Sequence, residues 1–268
     1  MDEVQGNCRL CGQKRPLRKS HIWPAFAYKS FVADQSKGGH FLDLNSEILK
    51  PTNRQYKARW FCDDCEQAIG IGESSASLLC KQILEEGVGK DYPYDEGLLH
   101  FATSMSLRMA YWLYEGKPIS EAYSPALKVW RACLRNKRKD VGPYSQHCFV
   151  LIGNEGSGVL SGQIIQKEGF VVSRVGPLII FGLLTGRKDM SLSRIKVQDQ
   201  SKIHAKGGSI SRITTFLVGN RGRQNNIIME WMRCLVNQRS ETANRISAFK
   251  DQNDEYWKQL EGRNKRNA

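Results

Sequence analysis

The chain has 268 residues, of which 40% are hydrophobic, and a formal net charge of +13 at neutral pH. This composition supplies a packed core and argues against a disordered chain, while the absence of a long apolar run excludes a transmembrane helix and predicts no membrane partner. The first residues lack an export signal, so we expect a cytoplasmic protein with reduced cysteines and, given its positive charge, a polyanionic partner.

The N-terminal third carries two cysteine pairs, each spaced as Cys-x-x-Cys. Two such turns can supply the four thiolates of one tetrahedral zinc site, so we expect structural Zn²⁺ bound by Cys8, Cys11, Cys62 and Cys65. The alternative is a set of buried or redox-active thiols. Apolar and polar residues alternate over 56–61, which predicts a strand that leads into the second cysteine pair. Helices are predicted from about residue 63 and over 74–86.

Glycine and proline mark residues 87–97 as a linker. Beyond it the residue pattern changes from helical to strand-like and back to helical. Apolar residues spaced by three and four predict an amphipathic helix over 98–114 and a second helix over 125–139, which ends in a basic run. Residues 147–152, 159–166, 170–184 and 212–218 are typical of strands, and 226–238 and 240–260 are again typical of helices. No catalytic motif stands out beyond residue 90.

We therefore predict an α+β protein with two domains. Residues 1–86 form a zinc-stabilised domain, and residues 98–268 form a mixed domain of helices and antiparallel sheet.

Charge is distributed unevenly between these regions. Residues 9–59 hold eleven Lys/Arg and three Asp/Glu, residues 60–90 hold two and six, and residues 91–268 hold 27 and 16. An acidic segment between basic ones suits a metal-dependent nuclease, because cations hold phosphates and carboxylates hold a catalytic metal. The alternative is a solvated basic surface without a ligand.

Three segments together resemble the HNH nuclease superfamily in its cysteine-bracketed, treble-clef form. They are CRLCG from Cys8, SHIWP from Ser20 and WFCDDCE from Trp60. In that family the first cysteine pair precedes a strand with an Asp/Glu-His-Ile/Val-x-Pro string, and the second pair opens a helix. The resemblance covers roughly the first 70 to 85 residues and implies a treble-clef, ββα-metal fold there.

The resemblance also implies an endonuclease that hydrolyses nucleic-acid phosphodiester bonds. His21 would be the general base, and Glu66 would help to hold a catalytic Mg²⁺ or Mn²⁺ ion. Ser20 stands where the family has a metal-binding acid, so Asp64 or Glu73 is a candidate for the missing carboxylate. The counterpart of the family's middle Asn stays open. The candidates for it are His40, Asn45 and Asn53.

Four cations beside His21 would hold the phosphates of a nucleic acid, with DNA preferred. They are Lys14, Arg15, Arg18 and Lys19. Residues 98–268 would bind substrate, a protein partner or a regulatory signal. The resemblance also implies a role in defence against phage or mobile elements, where an HNH-like domain is often joined to an unfamiliar second domain. The alternative, favoured by Ser20, is a catalytically inactive zinc-stabilised module that binds nucleic acid or protein.

Overall fold

The computed structural model describes residues 4–30, 41–42, 51–52, 55–86, 91–138, 140–152, 160–165, 169–186, 202–210 and 213–217. The chain divides into two compact units. The first comprises Met1–Phe31 and Gln55–Gly219, and the second comprises Val32–Arg54 and Asn220–Ala268. The predicted domain boundary at residues 87–97 stays a prediction.

The described elements follow one another in a mixed order. They are β1 (Gln5–Asn7), β2 (Lys14–Pro16), β3 (Arg18–His21), α1 (Ala25–Ser30), β4 (Phe41–Leu42), β5 (Pro51–Thr52), β6 (Lys57–Phe61), α2 (Asp63–Gly70), α3 (Glu73–Glu86), β7 (Asp91–Pro93), α4 (Glu96–Leu113), α5 (Ser124–Leu134), β8 (Gln146–Ile152), β9 (Leu160–Ile165), β10 (Phe170–Val175), β11 (Leu178–Leu183), β12 (Lys202–Ile210) and β13 (Ile213–Leu217). A 3₁₀ turn at Glu121–Tyr123 leads into α5.

Two short antiparallel ribbons build the N-terminal part of the first unit. Strands β1 and β2 pair in register, and β3 pairs with β6 through an irregularity between Arg18 and Ser20. Helix α2 begins two residues after β6 ends, so the second ribbon leads directly into a helix. In the second unit, β4 and β5 form an antiparallel pair.

The rest of the first unit consists of an antiparallel sheet and the helices packed on it, and α4 is the helix that contacts most of these elements. Seven strands pair in the order β7-β12-β13-β8-β11-β10-β9, and α4 packs against β8–β11 and against α2, α3 and α5. A Cβ at Gly72 would lie 2.5 Å from the Gly97 carbonyl oxygen and 2.6 Å from the Phe101 nitrogen. Glycine at this position therefore permits the turn before α3 to approach the start of α4 closely.

The amphipathic character predicted for α4 is wrong. Every residue from Phe101 to Tyr111 is buried, because the helix has neighbours on the sheet side and on the helical side. Its small polar side chains are satisfied: Thr103 Oγ1 donates to the Leu99 carbonyl at 2.7 Å and Ser104 Oγ to the Phe101 carbonyl at 3.0 Å, both within the helix, and Ser106 Oγ donates to Gln146 Oε1 at 2.6 Å. Such local bonds make burial of a hydroxyl tolerable.

Most predicted elements of the described residues are confirmed, with two further differences. The strand predicted over 170–184 is a hairpin, β10–β11, that turns at Gly176 with φ +58°. Helix α5 ends at Leu134, just before the basic run predicted to form its last turn, because Asn136 adopts φ +54° and stops the helix. The helices predicted over 226–238 and 240–260 lie outside the described residues. The observed content is mixed α and β with small antiparallel sheets.

Candidate metal centre

The four cysteines of the two Cys-x-x-Cys pairs come together in the first unit. Cys8 and Cys11 lie in the turn between β1 and β2, and Cys62 and Cys65 lie at the start of α2. Their four Sγ atoms are all within 4.8 Å of one another, and none forms a disulfide. Zinc–thiolate bonds of about 2.3 Å place tetrahedral sulfurs about 3.8 Å apart. The cluster could therefore bind a metal ion and is consistent with structural zinc.

Backbone hydrogen bonds hold each pair in a tight turn. The Gly12 amide donates to the Cys8 carbonyl at 2.8 Å and the Cys8 amide donates to the Gln13 carbonyl at 2.9 Å. Gly12 has φ +79°, a conformation that favours glycine. The second pair is tied to the first because the Cys62 amide donates to Cys8 Sγ at 3.4 Å.

The environment of the cluster separates the acidities of its thiols. Burial raises the pKa of Cys8, but hydrogen bonds from the backbone of Cys11, Cys62 and Leu10 outweigh it and lower that pKa to about 7. Burial raises the pKa of Cys62 and of Cys65. A metal ion binds thiolates, so its binding would release protons from Cys62 and Cys65, the thiols whose pKa is raised.

Helices α4 and α5 cover the outer face of the first cysteine turn. The Arg9 guanidinium lies over two adjacent aromatic rings, 5.0 Å from the centroid of Trp60 and 5.2 Å from that of Tyr111. Arg131 Nε donates to the Leu10 carbonyl at 2.9 Å. Sequence analysis missed Tyr111 and Arg131, which lie on helices about a hundred residues away and carry no local signal for this contact.

His21 lies at the end of β3, opposite Lys57 of β6. Its ring is half-buried, and Nε2 lies 2.8 Å from Gln55 Oε1. The ring centroid is 5.7 Å from that of Tyr28. Two residues further on, Trp23 is buried and meets Trp112 edge to face at 4.8 Å between centroids, which fixes the chain that follows the histidine.

Two oxygens of the remaining predicted residues are buried without a hydrogen-bond partner among the described residues. They are Ser20 Oγ, next to His21, and Glu66 Oε2 in the first turn of α2. Buried polar atoms are normally satisfied, so an unpartnered carboxylate oxygen indicates a position where a donor or a cation is favourable.

The two weighed replacements for the missing acid are engaged elsewhere. Asp64 accepts from Arg15 at 2.5 Å, and Glu73 accepts from the buried Arg108 at 2.7 Å. His40, Asn45 and Asn53 lie outside the described residues.

The four predicted phosphate contacts differ in their surroundings. Arg15 pairs with Asp64, and Arg18 Nε pairs with Asp63 at 2.7 Å. Lys14 and Lys19 are exposed, and neither has a carboxylate partner within the described ranges. The two arginines therefore hold the β1–β3 segment to the start of α2.

No protein-family model, no curated protein and no solved structure matches this chain significantly. Within the part of the chain that the structure describes, no helix combines the length and the apolar character needed to cross a bilayer.

Proposed function

We propose that this protein is a metal-dependent endonuclease of the HNH type, with DNA as its substrate and a treble-clef zinc site as its scaffold. The observation that carries the proposal is a β3–β6 ribbon, bearing Ser20 and His21, that leads directly into α2, which bears Glu66. Support for the treble clef comes from the order of a cysteine turn, an antiparallel ribbon and a helix that begins with the second cysteine pair.

The proposed role of His21 follows from its hydrogen bond. With Gln55 Oε1 as the acceptor, Nε2 carries the ring proton and Nδ1 keeps a lone pair. Nδ1 would then take a proton from the water that attacks the phosphorus. Gln55 would be a positioning residue that fixes the tautomer and the ring plane.

The donors present fit a hard divalent cation. Ser20 Oγ and Glu66 Oε2 are oxygen atoms, both buried and both without a described partner, and one belongs to a carboxylate. These residues would hold Mg²⁺ or Mn²⁺, which when bound stabilises negative charge on the phosphate and the leaving oxygen. Lys14 and Lys19 would hold the flanking phosphates. Arg15 and Arg18 could bind a phosphate only while each also pairs with its carboxylate, Asp64 or Asp63.

A second candidate function is a zinc-stabilised binding module without catalysis. Ser20 favours it, because a neutral hydroxyl is a weaker ligand for Mg²⁺ than the acid found in the family. On this alternative the same lysines would bind nucleic acid or a protein. Residues 98–268 would bind substrate, a protein partner or a regulatory signal in either case, in a setting such as defence against phage or mobile elements.

Cleavage of supercoiled plasmid tests the proposal. The protein is incubated with Mg²⁺, with Mn²⁺ or with EDTA, beside His21→Ala and Gln55→Ala. We expect divalent-dependent nicking that falls about 10²- to 10⁴-fold in His21→Ala and less in Gln55→Ala. Nicking that persists at the wild-type rate in His21→Ala contradicts the general-base role.

Ser20→Asp separates the two candidate functions. If the ion site exists, a carboxylate at residue 20 adds a ligand and lowers the Mg²⁺ concentration needed for half-maximal nicking. Ser20→Asn is the control, because asparagine has nearly the same size as aspartate but carries no charge. Plasmid that is retarded on a gel but never nicked, by the wild type or by Ser20→Asp, favours the binding module.

A further inference from the structure

A second group of cations lies on helix α5 and at its end, beside the first cysteine turn. Lys128 and Arg131 are on α5, and Arg135 directly follows it, with its amide still donating to the Arg131 carbonyl at 3.2 Å. The spacings of three and four residues therefore put the three on one side. This side belongs to the segment beyond residue 90 and is separate from the predicted phosphate contacts.

Arg131 fixes how this side of α5 is placed. Its Nε donates to the Leu10 carbonyl at 2.9 Å, and a Cβ at Gly12 would lie 3.4 Å from its Nη2. Lys14 follows Gly12 by two residues and is therefore within about 7 Å of it along the chain. Lys128 and Arg135 flank Arg131, with Cβ atoms about 6 Å from its own. Lys14, Lys128 and Arg135 therefore belong to two chain segments that meet at this contact, and we refer to these three cations as the basic strip.

The strip keeps its positive charge. Lys14 and Lys128 are exposed and Arg135 is half-buried, and no carboxylate of the described residues pairs with any of them. Two acids that precede and follow α5 in the chain are engaged with other residues: Glu115 accepts from the Trp60 indole at 3.1 Å, and Asp140 pairs with Arg138 at 2.9 Å.

We infer that the basic strip binds the phosphate backbone of a nucleic acid. Cations on two chain segments that contact each other can bind phosphates of the same nucleic acid, and no base-reading geometry is required. A membrane surface is disfavoured, because interfacial binding also needs apolar side chains beside the cations. The large exposed apolar residues of the described chain lie elsewhere, on α3, after α2 and at the open end of the β1–β2 ribbon. They are Val4, Ile71, Leu78 and Leu84.

The inference rests on the proposed function in taking the same substrate class, but it adds Lys128 and Arg135, outside the HNH-like segment, to the contact predicted for Lys14. It places the bound strand across the outer face of the cysteine turn. Arg131 acts here as a positioning residue, since its hydrogen bond to Leu10 holds α5 against that turn.

Fluorescence anisotropy with a labelled 20-base-pair DNA, and with one of its single strands, tests the strip. The full chain is compared with Lys128→Ala/Arg135→Ala in buffer without added divalent cation or chelator, so that cleavage is prevented and bound zinc is kept. Lys81→Ala is a control, because Lys81 is an exposed helical lysine on α3, paired only with Glu85. Circular dichroism verifies that each variant is folded.

We expect the double variant to weaken binding about 10- to 100-fold near 0.1 M salt, and to lower the slope of log Kd against log salt by about 2. Lys81→Ala should leave both unchanged. Wild-type affinity and slope in the folded double variant overturn the inference. So does binding to phosphatidylserine vesicles without binding to either oligonucleotide.

The plasmid assay distinguishes failure of the strip from failure of the proposed function. Weakened binding by the double variant, with no nicking under any metal, supports the strip and rejects the endonuclease. Divalent-dependent nicking by the wild type, with unchanged DNA affinity in the double variant, supports the endonuclease and rejects the strip.

Discussion

The Tyr111 hydroxyl donates a hydrogen bond to the Arg9 carbonyl at 2.9 Å, and the Arg9 guanidinium reaches back to the Tyr111 carbonyl at 3.5 Å. The two residues are 102 positions apart, yet each binds the other's main chain. Because Arg9 stands between Cys8 and Cys11, this exchange attaches the cysteine turn to the central helix α4. The stability of the candidate metal centre should therefore depend on α4.

Tyr111→Phe should lower the free energy of unfolding by about 1 kcal/mol, because the Arg9 carbonyl loses its donor in a partly buried site. Urea denaturation at neutral pH measures this change. Tyr94→Phe is a matched control, since the Tyr94 hydroxyl is buried without a partner in the described part of the chain. Its removal should be neutral or stabilising. Equal losses in the two variants would show that the Arg9 contact contributes nothing specific.

Cys62→Ser should abolish stoichiometric zinc binding and unfold the N-terminal part of the first unit. Structural zinc contributes folding energy of roughly 10 kcal/mol or more in small zinc domains, and three remaining thiolates hold the ion poorly. Zinc content by mass spectrometry and thermal melting provide the measurement. Cys133→Ala is the control, because Cys133 is a buried cysteine outside the cluster. Full zinc content in Cys62→Ser would contradict a four-cysteine site.

The four-cysteine cluster could be predicted because metal-ligand spacing is a local property of the sequence. Two thiolates three residues apart converge whatever the rest of the chain does, and Gly12 marks the turn. The strand before Cys62 could likewise be predicted from alternating apolar and polar residues, and the helix after it from apolar residues at helical spacing.

Tertiary contacts account for what the sequence did not reveal. Helix α4 has the apolar spacing of an amphipathic helix, but its polar positions are buried because a sheet and three helices surround it. The partners of Arg15 and Arg18 on α2 are set by how the β1–β3 segment folds onto that helix. No pattern within either segment specifies that pairing.

The ion pair between Glu73 and Arg108 leads to a third prediction. Arg108 is almost fully buried, its Nη2 lies 2.7 Å from the Glu73 carboxylate, and its other guanidinium nitrogens have no partner among the described residues. Glu73→Ala leaves a buried cation uncompensated and should cost about 3–5 kcal/mol of stability in urea denaturation.

Glu85→Ala is the control for that variant. Glu85 pairs with Lys81 at 3.8 Å on an exposed helix surface, and such a pair contributes at most about 0.5 kcal/mol. A loss below about 1 kcal/mol in Glu73→Ala would mean that Arg108 finds another partner or reaches water.

His147 should make the protein less stable as the pH falls. Burial lowers the pKa of His147 from 6.5 to about 4, and its Nε2 lies 3.1 Å from Ser145 Oγ. Between those two pH values the unfolded chain binds a proton that the folded chain does not. The stability associated with the neutral ring is therefore complete above pH 6.5 and declines as the pH drops toward 4.

His147→Gln isolates this contribution, because glutamine keeps a polar side chain near Ser145 but does not titrate. Between pH 7 and pH 5 the wild type should lose about 2 kcal/mol more stability than the variant. Urea denaturation of both proteins across that range gives the difference, and every other titrating group contributes equally to the two. Parallel pH profiles for the wild type and His147→Gln would show that the ring is protonated inside the fold.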